Sequence, residues 1–242
     1  MRAGFVTDCG KKRKVNQDRY LSLPELQLFA LADGMGGHNG GETASLLALQ
    51  ALETSVRDAE AALSSPFGRD QVLRDAFAHA NTAIYRTAQE HPPLKGMGTT
   101  LTAVWAPDLA QVFIGQVGDS RCYLQRGQEF FQITLDHSQV AERVRARVYS
   151  KEQARTQKGR NILTRAVGYE ATTQADIWRI RLLSGDRLIL CSDGLHGEVP
   201  EAVWWSTLRH QPLGPEAAAQ ALMEQALAAG GNDNVTVGVL DF

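Results

Sequence analysis

Four acidic residues stand beside glycine or asparagine where apolar runs begin or end: Asp33, Asp119, Asp193 and Asp233. The first three follow an apolar run and the fourth precedes one, so we expect strand pairing to bring all four carboxylates to one edge of a sheet. Two carboxylates about 4 Å apart repel by about 4 kcal/mol at an effective dielectric constant of about 20. Hard divalent cations with oxygen ligands would remove that repulsion. Each motif alone is an ordinary turn signal, and their joint occurrence predicts a metal site.

The N-terminal segment 7–18 adds a candidate anion-binding group, Arg13, close to the acidic residue Asp18. A guanidinium presents a planar fork of donors that can hold two phosphate oxygens at once. The pair therefore predicts a phosphate clamp beside a metal site. The alternative is that Arg13 is one member of an exposed basic face, because it lies in the run Lys11-Lys12-Arg13-Lys14.

Length and composition favour one domain over residues 1–242, since 43% of the residues are hydrophobic. A net charge of −2 provides no basic field for nucleic acid. The sequence contains no apolar stretch of membrane-spanning length and no signal-peptide core, so we expect a cytoplasmic protein. Three widely spaced cysteines argue against a disulfide framework or zinc site, and Cys191 is expected in the core.

Short β-branched and apolar segments alternate with turn residues, which predicts strands, and amphipathic patterns predict four helices. Several strands lie only a few residues apart, which favours antiparallel hairpins with helices packed outside the sheets. The predicted strands are 26–32, 99–105, 111–117, 121–126, 129–134, 176–183, 186–191 and 234–240, and the helices are 42–63, 70–89, 200–209 and 215–229.

Residues 137–160 form a polar segment rich in arginine and lysine between strand-like regions. One interpretation is a solvated helix and loop. The other is a mobile basic flap that handles an anionic macromolecular substrate. The residues of the segment do not decide between them.

Short motifs containing aspartate, glycine and asparagine run along the whole chain. They are Asp8-x-Gly10, Arg13-x-x-Asn16-Gln17-Asp18, Ala32-Asp33-Gly34-Met35-Gly36-Gly37-His38, Met97-Gly98-Thr99-Thr100-Leu101, Gly118-Asp119-Ser120-Arg121, Asp136-His137-Ser138, Ser192-Asp193-Gly194 and Asn232-Asp233-Asn234. In order and approximate spacing, over about residues 5–240, they closely resemble the metal-dependent PPM (type-2C) serine/threonine protein phosphatases. The Asp-Gly-Met-Gly-Gly form resembles the stand-alone bacterial branch. The resemblance implies an α+β fold, a four-layer α-β-β-α sandwich of two antiparallel sheets between helices, with the metal site at one edge.

The resemblance also implies a set of ligands. Asp33 would bridge two Mn²⁺ or Mg²⁺ ions, the Gly34 carbonyl would bind one of them, and Asp193 and Asp233 would complete the other. Asp119 matches a ligand of a third, weaker ion that is shared with Asp193.

The resemblance gives roles to two further residues and leaves one role open. Arg13 matches the arginine that binds the substrate phosphate, and Asp18 matches an acidic position that holds metal-bound water. Gln17 stands where many eukaryotic members have a glutamate ligand. Met35 stands where those members have the histidine proposed to protonate the leaving alcohol. His38 could serve as that acid, and the alternatives are a packing role for His38 or a water as the acid.

The function implied is hydrolysis of phosphoserine and phosphothreonine on proteins by metal-activated water. Enzymes accelerate the hydrolysis of phosphate monoesters by up to about 10²¹-fold, whereas one general acid or base accelerates a reaction by only about 10²–10⁴-fold. Metal activation of the water is therefore needed. The expected partners are a serine/threonine kinase and its targets, with secretion machinery among the processes so controlled. We expect a monomer. The alternative is a phosphoprotein-binding pseudoenzyme that turns over little.

Overall fold

Two antiparallel β-sheets face each other in the computed structural model, which describes residues 1–37, 40–62, 68–157, 159–210 and 213–242. The first sheet has the strand order β1-β11-β10-β7-β8, and the second has the order β2-β3-β5-β6-β9 with β4 paired to β3. The strands are β1 Arg2–Asp8, β2 Asp18–Leu23, β3 Leu28–Met35, β4 Gly98–Thr99, β5 Leu101–Asp108, β6 Gln111–Val117, β7 Arg121–Arg126, β8 Glu129–Gln132, β9 Asp176–Ile180, β10 Arg187–Cys191 and β11 Val235–Asp241.

Helices cover the outer faces of both sheets. Two long helices pack on the second sheet and two others on the first. The former are α1 Gly40–Ala62 and α2 Arg69–Glu90, and the latter are α6 Glu201–His210 and α7 Pro215–Ala229; shorter helices are α3 Gln139–Arg145, α4 Lys151–Arg155 and α5 Asp193–His196. The four-layer α-β-β-α sandwich is therefore confirmed.

Alternation along the strands produces three hydrophobic layers. On β10, Leu188 and Leu190 pack between the sheets, whereas Ile189 and Cys191 face the helices. Successive side chains of a strand point to opposite faces, so a strand that is covered on both sides reads as a continuous apolar run. The predicted core position of Cys191 is confirmed, since its side chain is fully buried.

The predicted helices agree with the observed ones to within two residues among the described positions, and 215–229 agrees at both ends. Pro215 occupies the first turn of α7 and Gly230, at φ 153°, ends it. The predicted helix 42–63 includes Leu63, which lies outside the described residues. The expectation that 176–183 is one strand was wrong at its end, because β9 stops at Ile180.

Two strands were missed altogether. β1 and β2 are mostly partly exposed, and their sequences mix charged and apolar residues without a clean period. Both nevertheless matter for function, because β2 begins at Asp18 and β1 leads into the segment that carries Arg13. In the part of the chain that the structure describes, no helix is long and apolar enough to cross a membrane.

Candidate metal centre

Asp33 and Asp18 lie side by side on neighbouring strands. The register of β2 and β3 pairs the two residues directly. Asp33 is held further by Thr100, whose hydroxyl accepts a hydrogen bond from the Asp33 amide at 2.9 Å, and by Thr99, whose hydroxyl donates to the Asp33 carbonyl at 2.9 Å. The Met97–Leu101 segment thus fixes the end of β3.

The other three carboxylates arrive from different strands. Asp119 follows β6, Asp193 follows β10 at the start of α5, and Asp233 precedes β11. Together with Asp33 they line one open pocket of about 750 Å³. The expectation that they share one edge of a single sheet was wrong, because Asp33 and Asp119 come from the second sheet and Asp193 and Asp233 from the first. The pocket lies where the edges of the two sheets meet.

Three carboxyl groups of the cluster have raised pKa values, because burial and their mutual repulsion disfavour the charged forms. Burial raises the carboxyl pKa of Asp193 to about 7, and the charges of Asp233 and Asp18 add to the shift. Burial, followed by the charges of Asp18 and Asp193, also raises the pKa of Asp33 well above its usual range. The pKa of Asp119 is likewise raised, first by burial and then by Asp193. These carboxylates repel one another as the Coulomb estimate from the sequence requires.

Asp18 is buried beside the pocket with one oxygen satisfied and one not. Its Oδ2 accepts hydrogen bonds from Ser192 Oγ at 2.7 Å and Thr236 Oγ1 at 2.8 Å. Its Oδ1 is buried and has no hydrogen-bond partner among the described residues. Burial raises the pKa of this carboxyl to about 6, against the lowering effect of the two hydroxyls. An orphaned buried carboxylate oxygen calls for a bound ion or water.

Position 34 requires glycine because the backbone segments at Gln17 and Gly41 pass too close to it to leave room for a side chain. A Cβ placed on Gly34 would come within 2.0 Å of the Gly41 carbonyl oxygen and 2.8 Å of that of Gln17. Gly34 also donates its amide to Gln17 O at 3.2 Å. Any side chain at this position would force β3 away from the start of α1, and Gly34 would no longer lie in the wall of the pocket.

Arg13 lies in the wall of the same pocket as the four carboxylates. Its Nη2 lies 2.8 Å from Asp233 Oδ2, and the hydrogen bond to Asp233 is the main reason that its pKa is raised. The sequence placed Arg13 close to Asp18 as a predicted phosphate clamp beside the metal site. In the structure Asp18 accepts hydrogen bonds from Ser192 and Thr236, and Arg13 pairs with Asp233. Slightly more than half of the Arg13 side chain is exposed, so the guanidinium stays accessible.

Asn234 organises the N-terminal segment, and no role for it was predicted. Its Nδ2 donates to the carbonyl oxygens of Cys9 at 2.9 Å and Val15 at 3.0 Å, and its Oδ1 accepts from the Gln17 amide at 2.8 Å. One buried side chain therefore closes the loop that carries Arg13 over the pocket. The tripeptide motif that contains Asn234 was visible in the sequence, but its partners lie more than 200 residues away.

Two buried histidines hold the backbone around Asp119. Gly118 donates its amide to His137 Nδ1 at 3.1 Å, and His137 Nε2 lies 3.1 Å from Asp176 Oδ2. Because Nδ1 accepts, the proton of His137 resides on Nε2 and points to the carboxylate. His196 Nε2 lies 3.0 Å from the Asp119 carbonyl, and burial lowers the His196 pKa to about 3, so this ring is neutral and donates.

The remaining sequence predictions concern Met35, His38 and the segment 137–160. Met35 is half-buried in the pocket wall. His38, the candidate acid, lies outside the described residues. The segment 137–160, called the flap below, contains α3 and α4 and borders a second cavity of about 530 Å³ whose walls include Asp119 and Asp193. The flap is therefore adjacent to the carboxylates.

The donor set fits hard divalent cations. Within the described ranges, no three or more histidine, cysteine, aspartate or glutamate side chains stand in an arrangement that could hold a metal ion by themselves. The carboxylates instead line an open pocket, with raised pKa values and an orphaned buried oxygen on Asp18. Oxygen ligands of this kind, without thiolate or imidazole, suit Mg²⁺ or Mn²⁺ better than zinc.

Comparison with known proteins assigns this arrangement to a family. Residues 7–229 match the model of the family described as Protein phosphatase 2C. The serine/threonine phosphatase Stp of Listeria innocua is 36% identical over 240 residues, which cover 98% of this chain and 94% of the relative. A crystal structure of the catalytic domain of the serine/threonine protein phosphatase PstP in complex with two manganese ions is 34% identical, with a TM-score of 0.86 over 99% of this chain and 97% of that one.

A further solved structure is that of PppA, a key regulatory component of T6SS in Pseudomonas aeruginosa. It is 31% identical and has a TM-score of 0.85, covering 99% of this chain and 96% of its own. In both solved structures the likeness covers nearly the whole of this chain.

Proposed function

Since the chain belongs to the PPM (protein phosphatase 2C) family and is a serine/threonine protein phosphatase, we propose that it hydrolyses phosphoserine and phosphothreonine with two Mn²⁺ or Mg²⁺ ions. Asp33 would bridge the ions, the Gly34 carbonyl would bind one, and Asp193 and Asp233 would complete the other. Asp119 would share a third, weaker ion with Asp193. The observation that carries the proposal is the convergence of the four carboxylates with Arg13 in one pocket.

Divalent ions bound here would supply Lewis-acid chemistry, lowering the pKa of water to generate the nucleophile and offsetting charge on the phosphoryl oxygens. The side chains of the protein do the rest. Asp18 would accept a hydrogen bond from the attacking water at its unpartnered Oδ1, while Ser192 and Thr236 keep Oδ2 in place. An oriented acceptor positions the water for in-line attack.

Arg13 would bind the phosphoryl group of the substrate. It lies in the pocket wall, is partly exposed and, among the described residues, forms an ion pair with Asp233 alone. When Asp233 ligates an ion, its charge is shared with that ion, and the guanidinium is then available for two phosphoryl oxygens. Asn234 fixes the loop that carries Arg13, so it is a positioning residue for this contact.

The protein partners are proposed from the same chemistry. A phosphatase of this class acts on phosphoproteins. We propose that its substrates are a serine/threonine kinase and the proteins that this kinase phosphorylates. The similarity to PppA favours control of a secretion system among the candidate processes. The cytoplasmic location, the monomeric state and the mobile flap stay predictions.

No observation favours the pseudoenzyme alternative, because all the predicted carboxylates and Arg13 are present at the pocket.

Phosphate release from matched phosphoserine, phosphothreonine and phosphotyrosine peptides in Mn²⁺ tests the substrate class. We expect turnover of the first two and little of the third. Comparable or faster turnover of the phosphotyrosine peptide would contradict the proposed specificity. Binding of phosphopeptides without release would restore the pseudoenzyme alternative.

Metal binding should depend on pH in a direction that the carboxyl pKa values fix. Asp18 and Asp193 have folded-state pKa values of about 6 and about 7, above the usual value of about 4. Their protonated forms stabilise the metal-free fold below pH about 4, and that stability is lost as pH rises through about 6 to 7. Mn²⁺ would bind Asp193 in its deprotonated form, and Asp18 must be deprotonated to accept a hydrogen bond from water. The gain in unfolding free energy on adding Mn²⁺ should therefore increase between pH of about 5 and about 8.

Chemical unfolding in EDTA and in Mn²⁺ at each pH measures that gain. The unfolding free energy in Mn²⁺ minus that in EDTA, taken at one pH, cancels the contributions of groups that do not bind metal. One such group is His196, whose lowered pKa makes the fold more stable as pH rises toward about 6.5 in both conditions. Asp193→Asn should flatten the pH dependence, whereas Asp58→Asn on the exposed face of α1 should not. A gain in unfolding free energy that does not change with pH would contradict the ligand assignment.

The proposed role of His38 as leaving-group acid predicts a selective defect. His38→Ala should slow phosphothreonine peptides by about 10²–10⁴-fold, the usual contribution of a general acid. An aryl phosphate such as p-nitrophenyl phosphate should be affected far less, because its leaving group needs little protonation. Equal effects on the two substrates would reject His38 as the acid and leave water in that role.

A further inference from the structure

One wall of the pocket is a surface loop that is anchored from beneath. Val167 forms an isolated bridge to Thr99, with the Thr99 amide 3.0 Å from Val167 O and the Val167 amide 2.8 Å from Thr99 O. Thr99 in turn pairs with Gly34 across β4 and β3. The loop is therefore connected through one strand to the metal-site backbone.

A buried asparagine on α2 holds the next turn of the loop. Asn81 is 2% exposed, and its Nδ2 donates to the carbonyls of Glu170 and Ala171 at 3.1 Å each. Its Oδ1 accepts from the Gly168 amide at 2.7 Å. Gly168 has φ 84°, and a Cβ there would lie 2.1 Å from Cγ2 of Ile84. The backbone is thus fixed in a conformation that presents the next two side chains outward.

Those side chains are Tyr169 and Glu170, and both lie in the wall of the pocket. Tyr169 is 59% exposed, and Glu170 is exposed as well. Among the described residues, neither side chain has a hydrogen bond, ion pair or ring contact. By contrast Arg165, a basic side chain in the same wall, is paired with Asp176 at 2.8 Å. The loop therefore offers an unused ring beside an unused carboxylate.

We propose that Tyr169 and Glu170 form a subsite for a lysine or arginine side chain of the phosphoprotein substrate, close in sequence to the phosphorylated residue. An aromatic face attracts a cation, and a neighbouring carboxylate supplies the opposite charge. The inference rests on the proposed function, since the pocket that the subsite adjoins is the phosphatase site. The flap arginines Arg145, Arg155 and Arg160 line the second cavity, which shares Asp119 and Asp193 with the pocket.

Rigid anchoring is what makes the pair a selective site. A bound cation loses affinity if the loop must be ordered on binding. Here the ordering is already provided by Asn81 and by the Thr99 bridge. An exposed cation–π contact and an exposed ion pair are each modest, so the subsite should change specificity by about three- to tenfold and leave phosphate hydrolysis itself unaffected.

The test is a set of phosphothreonine peptides with lysine, glutamine, leucine or glutamate at each position from three before to three after the phosphothreonine. In Mn²⁺, the protein should show a kcat/KM about three- to tenfold higher for lysine than for glutamine at one or more positions. Glu170→Gln and Tyr169→Ala should each reduce that ratio, Tyr169→Phe should keep it, and Glu170→Lys should favour the glutamate peptide. None of these variants should change kcat/KM for p-nitrophenyl phosphate.

Glu129→Gln and Phe131→Ala are matched controls, because both residues are exposed on β8 and lie outside the walls of the pocket. They should leave the lysine preference intact. A lysine preference that Glu170→Gln and Tyr169→Ala do not alter, or a preference for leucine instead, would overturn the subsite while normal p-nitrophenyl phosphate hydrolysis leaves the phosphatase standing. Loss of p-nitrophenyl phosphate hydrolysis in the Tyr169 or Glu170 variants would also overturn the proposed subsite.

Discussion

Asp193→Asn is expected to lower kcat by more than about 10³-fold on every substrate. Loss of a partner in the outer shell of a metal site costs about 10–100-fold, and loss of a direct ligand should cost more. Asp193 is proposed to contribute to one core ion and to the third ion, so its removal weakens two positions at once. Initial rates at saturating Mn²⁺ measure the loss.

The same variant should be no less stable than the unchanged protein in EDTA. The carboxyl pKa of Asp193 is raised by burial and by the charges of Asp233 and Asp18, so removing this charge relieves repulsion in the metal-free fold. Function and stability then change in opposite directions, as is common at active sites. Asp58→Asn, on the exposed face of α1, should alter neither quantity. An Asp193→Asn protein that is folded and fully active in Mn²⁺ would show that Asp193 is not a ligand.

Arg13→Ala is expected to raise KM and to lower kcat, with kcat/KM reduced by about 10²–10³-fold. The guanidinium would bind the phosphoryl group in the ground state and would also stabilise charge as the bond breaks, so both constants should change. Removing one preorganised donor from a developing oxyanion costs about 10²–10³ in kcat elsewhere. Steady-state kinetics on a phosphothreonine peptide separate the two effects.

Two neighbouring changes control for charge. Arg13→Lys keeps the positive charge but loses the planar fork, so most of the defect should remain. Lys12→Ala removes a positive charge from an exposed position that is not part of the pocket, and its effect should be small. Full activity of Arg13→Ala at low phosphopeptide concentration would exclude the clamp.

Much of the site could be predicted because its chemistry is local. An aspartate beside glycine or asparagine where an apolar run begins or ends is visible without knowing the fold, and Asp33, Asp119, Asp193 and Asp233 were each found in that way. The helices could be predicted for the same reason, since the apolar residues that α1 and α2 bury recur with helical spacing within one continuous stretch of sequence each.

The parts that were missed depend on contacts between distant segments. Nothing near Asp18 indicates that Ser192 and Thr236 would satisfy one of its oxygens, because they lie 174 and 218 positions away. The division of the carboxylates between two sheets depends on strand order, which periodicity does not specify. The role of Asn234 was missed for the same reason, since an Asn-Asp-Asn turn has the same sequence whether or not its amide closes a loop near the other end of the chain.

Phosphate release from a phosphothreonine peptide in EDTA, and then after adding Mn²⁺, tests the central claim most directly when the unchanged protein and Asp233→Ala are measured side by side. We expect no release in EDTA, release by the unchanged protein once Mn²⁺ is present, and at least about 10³-fold less by Asp233→Ala. Release that persists in EDTA, or an Asp233→Ala protein as active as its parent in Mn²⁺, would contradict the metal-dependent mechanism.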